Sequence, residues 1–457
     1  MNNLCIRRLD QTPDLLRLQQ AQPHAYPFML DSAGGPASLT RYSILLRVDP
    51  HTPPLLATDH NNQDFFERLD QDYAALRCEP NPDQSLPFSG GWFLYLGYEM
   101  AAAVEPGLRL PAAEDQLPMA GAWRCPAALI IDHHNAAAWA VAEHDWQLQQ
   151  VLEDVAAIPP AHAHTSALPV LSLSEEPPYR YEAAVSRIKD YILAGDVFQV
   201  NLSRAWHGSS PQPLDPHYLY RRLRQANPAP FASLCRIDDY WILSSSPERL
   251  VQQQGDLVQT RPIAGTRPRS PQQAADEALG KELLLHPKER AEHVMLIDLE
   301  RNDLGRVCVP GSVEVSELMV LESHAHVHHI VSNVRGRLRP GTSPGAVLKA
   351  VFPGGTITGC PKVRCMEIIA ELEQIGRGCY TGSLGYLSRD GQMDSNILIR
   401  TLLLRGHELL FRTGAGIVAD SDASREVDET VAKAHGLRLA LSGDADAQPA
   451  RRSAVVE

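Results

Sequence analysis

The chain has no CxxC pair, no long apolar run and no excess of positive charge. Its eight cysteines stand at positions 5, 78, 125, 235, 308, 360, 365 and 379. Without paired spacing or a secretion signal they read as reduced, mostly core thiols, and their spacing does not suit a zinc site. The longest apolar stretch, Ala127 to Val141, is interrupted by Asp132, His133, His134 and Asn135, so it falls short of the ~20 residues a membrane span needs. The first residues, MNNLCIRRLDQTPDLL, carry no apolar segment after their charges. No secretory signal is read there, and a cytoplasmic location is expected. The 42 Lys+Arg against 55 Asp+Glu leave a net charge of −13. A surface of that sign repels phosphate backbones and anionic lipid, so neither nucleic acid nor membrane is expected as a partner. What is present is 457 residues, 44% hydrophobic and 21% charged, the balance of a soluble globular chain with a substantial core.

The clearest break in composition is IPPAHAHTSALPVLSLSEEPPY, rich in Pro, Ala and Ser and without helical periodicity. It divides the chain into 1–157, a connection at 158–178, a region at 179–441, and a polar tail at 442–457 expected to be disordered. Before the break, YSILLRV, GGWFLYLGY and the pair AALIIDHH/AAAWAVAEH read as strands, the last two as a hairpin turning at His134-Asn135. After it, Ala184, Val185, Ile188, Ile192 and Leu193 recur at helical spacing, with Gly195 as the stop. Lys281 to Leu299 reads as one helix, SNILIRTLLLR as one strand, and Asp422 to Leu439 as the closing helix. Strands come in consecutive runs with no internal repeat, which predicts an α+β fold with large antiparallel sheets.

Two carboxylate pairs stand out. Glu289 and Glu292 share one helical face, and Glu426 and Glu429 do the same on the last helix. Facing each other, such pairs could hold Mg²⁺ and leave room for water and a substrate oxygen. Alone, ExxE is more often a solvated face, and Lys433 beyond Glu429 reads as an ordinary i, i+4 ion pair. GGTITGCPK places two threonines among glycines before a helix, where backbone N–H groups could receive an anion. RTGAG reads as a similar bend after a strand, although glycines serve turns first. TRPIAGTRPR gathers three arginines, a residue type suited to carboxylates.

Taken in order, GDVFQVNLSR, SSSPERL, TRPIAGTRPR, KERAEHVMLIDLERNDLGRV, VHHIVS, FPGGTITGCPKVRCMEII, YTGSLGY, MDSNILIRT, GAGIVADS and EVDETVAKA resemble the chorismate-utilising enzymes. These are anthranilate synthase, aminodeoxychorismate synthase, and the isochorismate and salicylate synthases. The resemblance spans roughly Tyr179 to Leu441 and extends less specifically to YPFMLDS and LPFSGGWFLYLGYEM. It implies a four-layer α/β/β/α fold built on two large antiparallel sheets, to which both halves contribute. It also implies that Glu292 and Glu429 hold Mg²⁺, with Glu289 and Glu426 behind or through water. Arg400, Tyr380, the backbone near Gly414 and Lys433 match positions that receive the substrate's carboxylates. His329 and Thr356 match residues lining the ring. Glu248 matches the general acid that protonates the departing C4 hydroxyl, a role that burial among apolar groups would favour.

Within the family, Gln199 stands where isochorismate and salicylate synthases carry a water-activating lysine. An amide cannot deprotonate water, and ammonia needs no such base, so Gln199 implies an aminating enzyme. Asn201, Phe231, Thr358 and MLDS resemble aminodeoxychorismate synthase, whereas anthranilate synthases more usually carry QVV, PSPY, LSG and LLES. Ala264 points the other way. Typical aminodeoxychorismate synthases have a lysine there (PIKGT) that attacks C2, and PIAGT is the anthranilate synthase form. The balance favours amination at C4, with water or ammonia adding at C2 in place of the lysine. Anthranilate synthesis is the alternative, and a non-catalytic chorismate- or tryptophan-binding regulator a remoter one. No glutaminase signature and no lyase region following Leu441 is read. Ammonia is therefore expected from solution or from a separate glutamine amidotransferase subunit, and p-aminobenzoate from another protein. The resemblance also raises a tryptophan-like ligand for the N-terminal region, which the residues do not decide.

Overall fold

A computed structural model describes residues 4–58, 63–80, 86–158, 171–323 and 327–442. The predicted tail lies almost wholly outside these residues, as does most of the predicted connection. Within the part of the connection that is described, Ser172–Glu175 is a strand pairing with Trp206–Ser209, not open loop.

Two large, mostly antiparallel sheets carry the fold. In the first, the N-terminal strands Cys5–Leu9, Phe28–Asp31, Tyr42–Arg47, Ala127–Asp132 and Ala137–Ala142 join Phe231–Ile237, Tyr240–Ser246, Thr401–Arg405, Glu408–Ile417 and Gln199–Ser209. In the second, Gly91–Leu96 and Ala120–Cys125 join Arg249–Gln254, Ile263–Pro268, Val327–Arg337, Ser383–Ser388 and Met393–Asn396. Both halves of the chain are thus woven into each sheet. The break near Ile158 is not a hinge between separate cores.

Strand alternation explains the layers. Leu403 packs toward the second sheet, while Leu402 and Leu404 face the helices; Ile44 and Leu46 divide from Leu45 in the same way. The inter-sheet core stacks Phe28 on Phe93 at 3.7 Å. Sheets buried on both faces need nearly continuous apolar strands, which is why LLL and ALII runs recur. The α/β/β/α layering expected from the resemblance is observed.

Three local predictions need correction. The helix read over Lys281 to Leu299 is two helices, Gln273–Leu285 and Pro287–Gly305. Pro287 has no N–H to continue the first and suits the first turn of the second, which His286 caps. Leu193 does not join the buried face of helix Pro178–Leu193 and stands 81% exposed. SNILIRTLLLR is not one strand. Met393–Asn396 belongs to the second sheet and Thr401–Arg405 to the first, and the chain crosses between them at 397–400.

That crossing positions the site. A second crossing lies beside it, where Tyr240–Ser246 leaves the first sheet and Arg249–Gln254 enters the second. The two are tied together. Ile397 N donates to Glu248 O at 3.0 Å, Ser246 Oγ to Ile397 O at 2.6 Å, and Ser245 N to Arg400 O at 3.1 Å. The serines of SSSPERL are therefore buried hydrogen-bonding groups. They set Glu248 and Arg400 side by side, Arg400 at the positive φ of +52° that the sharp crossing requires.

Candidate active site

A cavity of about 590 Å³ opens between the crossings, the long strands Gln199–Ser209 and Glu408–Ile417, and the helices Pro287–Gly305 and Ala423–Leu441. Every site residue predicted from the sequence lines it except Thr358. Gln199, Glu248, Ala264, His329, Thr356, Tyr380, Arg400, Gly414 and Lys433 converge there with Glu289, Glu292, Glu426 and Glu429. Thr358 is fully buried behind them, donating to Gly354 O at 2.9 Å and accepting Asn201 N through its backbone O at 2.9 Å. It shapes the turn that presents Thr356. The helix start after GGTITGCPK lies apart from the cavity, and Lys362 there pairs with Asp303 at 2.5 Å.

RTGAG is not a bend. It lies within strand Glu408–Ile417, with Gly414 opposite Ser203 and Gly416 opposite Asn201. A Cβ on Gly416 would stand 2.2 Å from Gln199 Nε2, and one on Gly414 2.9 Å from both Asn201 Oδ1 and the Tyr380 hydroxyl. These glycines exist so that side chains can lie across the strand. Gln199 Oε1 and Asn201 Oδ1 are buried acceptors without donors.

Glu248 is the most perturbed acid in the cavity. Burial raises its carboxyl to about 8, and the charge of Glu300 adds to this; the Thr356 hydroxyl, the Ile263 N–H and Arg400 oppose it. Arg400 has the opposite character. Burial works against its charge, and among the described residues its guanidinium makes no ion pair. A desolvated guanidinium without a carboxylate is arranged to receive one. The three arginines of TRPIAGTRPR are by contrast paired within the protein: Arg261 with Glu317 and Glu322, Arg267 with Glu282 and Glu289, Arg269 with Asp276.

The four glutamates line the same cavity. Burial and the neighbouring charges of Glu289, Asp420 and Glu429 push Glu292 up to about 7 against the pull of Lys288. Burial raises Glu426 as well. Glu429 is lowered by Lys433, whose Nζ lies 2.8 Å from Glu429 Oε1 and 3.0 Å from Gly414 O. Glu292 Oε1 and Glu426 Oε2 are buried and accept no hydrogen bond. Two orphaned carboxylate oxygens in an all-oxygen donor set suit Mg²⁺, which is typically held by one or two carboxylates with water and substrate. Among the described residues no three such side chains form a ready metal cage, so the fit is to an open site.

Sequence reasoning missed the groups that support these. Lys288 bridges Asp420 at 2.9 Å and faces Glu292 at 3.9 Å. Arg412 lines the cavity and is held by Glu373, which is buried between Arg377 at 2.6 Å and Arg412 at 3.0 Å and also accepts Ser203 N at 2.8 Å. The signal for Glu373 was the i, i+4 spacing to Arg377, which on a surface helix would mean little. A larger cavity of about 870 Å³ lies by Leu30, Asp31 and Ser32 of MLDS. Its arginines are already engaged, Arg249 by Asp394 and Arg261 by Glu322, so it lacks an unpaired charge comparable to Arg400.

A buried acid, an unpaired arginine and two carboxylate pairs thus gather in one cavity at the junction of two sheets. Residues 41–438 match the chorismate binding enzyme family, and the chain belongs to it. It is 41% identical to aminodeoxychorismate synthase component 1 of Bacillus subtilis, covering 92% of this chain and 93% of that one. It is 46% identical to an anthranilate synthase component I-like protein of Synechocystis, over 79% and 75%, and 39% identical to anthranilate synthase component 1 of the same organism, over 94% of each. The crystal structure of anthranilate synthase component I from Streptococcus pneumoniae superposes with a TM-score of 0.77 at 33% identity, covering 87% of this chain and 92% of that one. The menaquinone-specific isochorismate synthase of Escherichia coli shares the fold, with a TM-score of 0.73 at 18% identity over 96% and 94%.

Proposed function

We propose that the protein aminates chorismate at C4, giving 4-amino-4-deoxychorismate for p-aminobenzoate and folate synthesis, with ammonia delivered by a separate glutamine amidotransferase subunit. The observation that carries amination is the pairing of the buried acid Glu248 with an amide, Gln199, in one cavity whose lysines, Lys288 and Lys433, are engaged by Asp420 and Glu429. Arg400 receives a carboxylate of chorismate, with the remaining donor of Lys433 and the Tyr380 hydroxyl nearby. Glu248 gives its proton to the C4 oxygen, which departs as water. Ammonia supplies the new C–N bond and loses a proton to solvent, so chorismate and ammonia yield aminodeoxychorismate and water. Mg²⁺ held by Glu292 and Glu429, with Glu289 and Glu426 beside them, would supply a positive charge for the ring carboxylate. Asn201, Phe231, Thr358 and the MLDS segment support amination at C4.

Ala264 favours a second reading. Its methyl group lines the cavity and cannot attack C2, so the covalent step of lysine-bearing relatives cannot use this position. The anthranilate reading needs no such step. Purified protein incubated with chorismate, Mg²⁺ and ammonium decides between them. Aminodeoxychorismate, detected as p-aminobenzoate after adding a lyase, is the expected product; anthranilate plus pyruvate would refute it.

A further inference from the structure

We propose that Glu99, in the N-terminal half of the chain, is a positioning residue that sets the Tyr380 hydroxyl for a carboxylate of chorismate. This rests on the reading of Tyr380 as a substrate-binding group and deepens it. Glu99 does not line the cavity, and neither composition nor periodicity marks it. It follows strand Gly91–Leu96, in the short turn Tyr98–Met100, and is 8% exposed.

Its carboxyl closes on the turn that carries Tyr380. Glu99 Oε1 accepts Arg377 N at 2.6 Å, and Glu99 Oε2 accepts Gly378 N at 3.1 Å. The clasp is reciprocal, since Tyr98 N donates to Gly378 O at 2.9 Å. A second segment of the N-terminal half adds to it. Gly376 N donates to Ala112 O at 2.9 Å, and a Cβ on Gly378 would stand 2.1 Å from Asp115 Oδ2. Gly378, at φ +58°, is therefore glycine both for its conformation and for want of room. Burying a carboxyl costs free energy unless hydrogen bonds meet it. Burial pushes Glu99 up to about 7, and the Arg377 and Gly378 N–H groups pull against that. An apolar side chain would fill the space without this cost but would leave both N–H groups unpaired.

What the turn holds in place is Tyr380. Tyr380 N donates to Arg377 O at 3.0 Å, and the Arg377 guanidinium lies against both the Tyr98 and Tyr380 rings, 4.9 Å and 5.6 Å from their centres. The same guanidinium donates to Ile357 O at 3.0 Å and Asn201 O at 2.8 Å. Thr381, next in the chain, stands at φ +62°, a conformation a β-branched residue adopts only where its surroundings impose it. The Tyr380 hydroxyl lies 2.9 Å from where a Gly414 Cβ would be, so it rests directly on the strand that lines the cavity. Glu99 supplies two hydrogen bonds to the start of this strained stretch. Without them the turn relaxes and the hydroxyl loses its place, while Glu248 and Arg400 are set by the two crossings and their serines.

The test is equilibrium binding of chorismate with Mg²⁺ present and ammonium absent, with steady-state kinetics and thermal melts alongside. Glu99→Ala should weaken chorismate binding about tenfold, the lower end of what a hydrogen bond to a charged group is worth. Its kcat at saturating chorismate should stay within about threefold of wild type, the pattern of lost ground-state binding. Glu99→Gln, which keeps one acceptor oxygen, should lose about threefold. Tyr380→Phe should itself cost about tenfold, and adding Glu99→Ala should cost at most about twofold more, because no hydroxyl is left to misplace. A folded Glu99→Ala variant with wild-type affinity, whatever its melting temperature, would overturn the proposal. So would losses that multiply to about a hundredfold in the double variant. Should Glu99→Ala fail to fold, the same cycle with Glu99→Gln decides: a loss that persists in full in the Tyr380→Phe background would overturn the proposal, and one that vanishes there supports it. Wild-type affinity in Tyr380→Phe would overturn the reading of Tyr380 and this proposal with it. No chorismate binding or consumption by the wild type would overturn the functional reading itself.

Discussion

Replacing Glu248 with Gln should make the protein less active and more stable, and the two effects have one cause. A carboxyl at its ordinary value of 4.5 is roughly 0.3% protonated at pH 7, while one held at about 8 is roughly 90% protonated. Burial therefore enriches the acid form about 300-fold. The same burial costs stability. Between pH 4.5 and 8 the unfolded chain has released this proton and the folded chain retains it, so stability falls by a little over ~1 kcal/mol per pH unit. Over 3.5 units that reaches about 5 kcal/mol as an upper bound. Gln keeps the volume and cannot ionise. The variant should lose ~10² to 10⁴ in kcat, and its melting temperature should exceed that of the wild type by a margin that widens from pH 5 to pH 8. Chorismate turnover and thermal melts across that range read both. A margin that is constant or shrinks with pH would refute the argument that burial holds the proton, whatever the activity does. In the wild type, activity at fixed free ammonia should fall as pH rises through about 8.

Glu373→Gln should destabilise by about 3–5 kcal/mol, because it leaves Arg377 and Arg412 buried without their shared carboxylate; denaturant unfolding measures it, and a loss under 1 kcal/mol would show the arginines find other partners. Since Arg377 and Arg412 hold the Glu373 carboxyl below its usual range, its stabilising share is present above pH 4.5 and fades as pH falls. Arg400→Met should raise the chorismate KM at least tenfold, the worth of a charged hydrogen bond lost, while Arg400→Lys recovers part of it. An unchanged KM in the Met variant would remove Arg400 from substrate binding.

The layers of the fold were legible because both faces of each sheet are covered, and this demands apolar strands whose runs stand out against loops. What was not legible is where the chain changes sheets. ILIRTLLLR continues apolar through Ile397–Ile399, so periodicity alone reads a single strand; the crossing is marked only by the positive φ of Arg400, which no residue type advertises. The candidate site was largely visible, yet only through ordered resemblance. ExxE pairs and glycine clusters have commoner explanations, and their convergence depends on sheet registers hundreds of residues apart. Glu300 and Glu373 went unmarked for a related reason. A glutamate on a helix looks solvated until the packing that buries it is known.

The charge balance of the cavity gives the last prediction. The chain carries −13, and chorismate is a dianion. Around the cavity Arg267 is matched by Glu289, Lys433 by Glu429, Lys288 by Asp420 and Arg412 by Glu373. Glu248 is mostly protonated at neutral pH, and Glu292 and Glu426 keep oxygens without partners. Among the described residues, Arg400 is the one arginine or lysine of the cavity without an ion pair, and it faces a substrate with two negative charges. A second carboxylate brought near Glu292 and Glu426 would be repelled unless a cation joined them first. Mg²⁺ should therefore govern affinity as well as turnover. Equilibrium binding of chorismate to the wild type should weaken at least tenfold in EDTA, and Glu292→Gln should weaken Mg²⁺ binding measured by calorimetry without substrate. Equal chorismate affinity with and without Mg²⁺ would mean that the glutamate pairs do not seat the ion, and that Arg400 and Lys433 suffice for both charges.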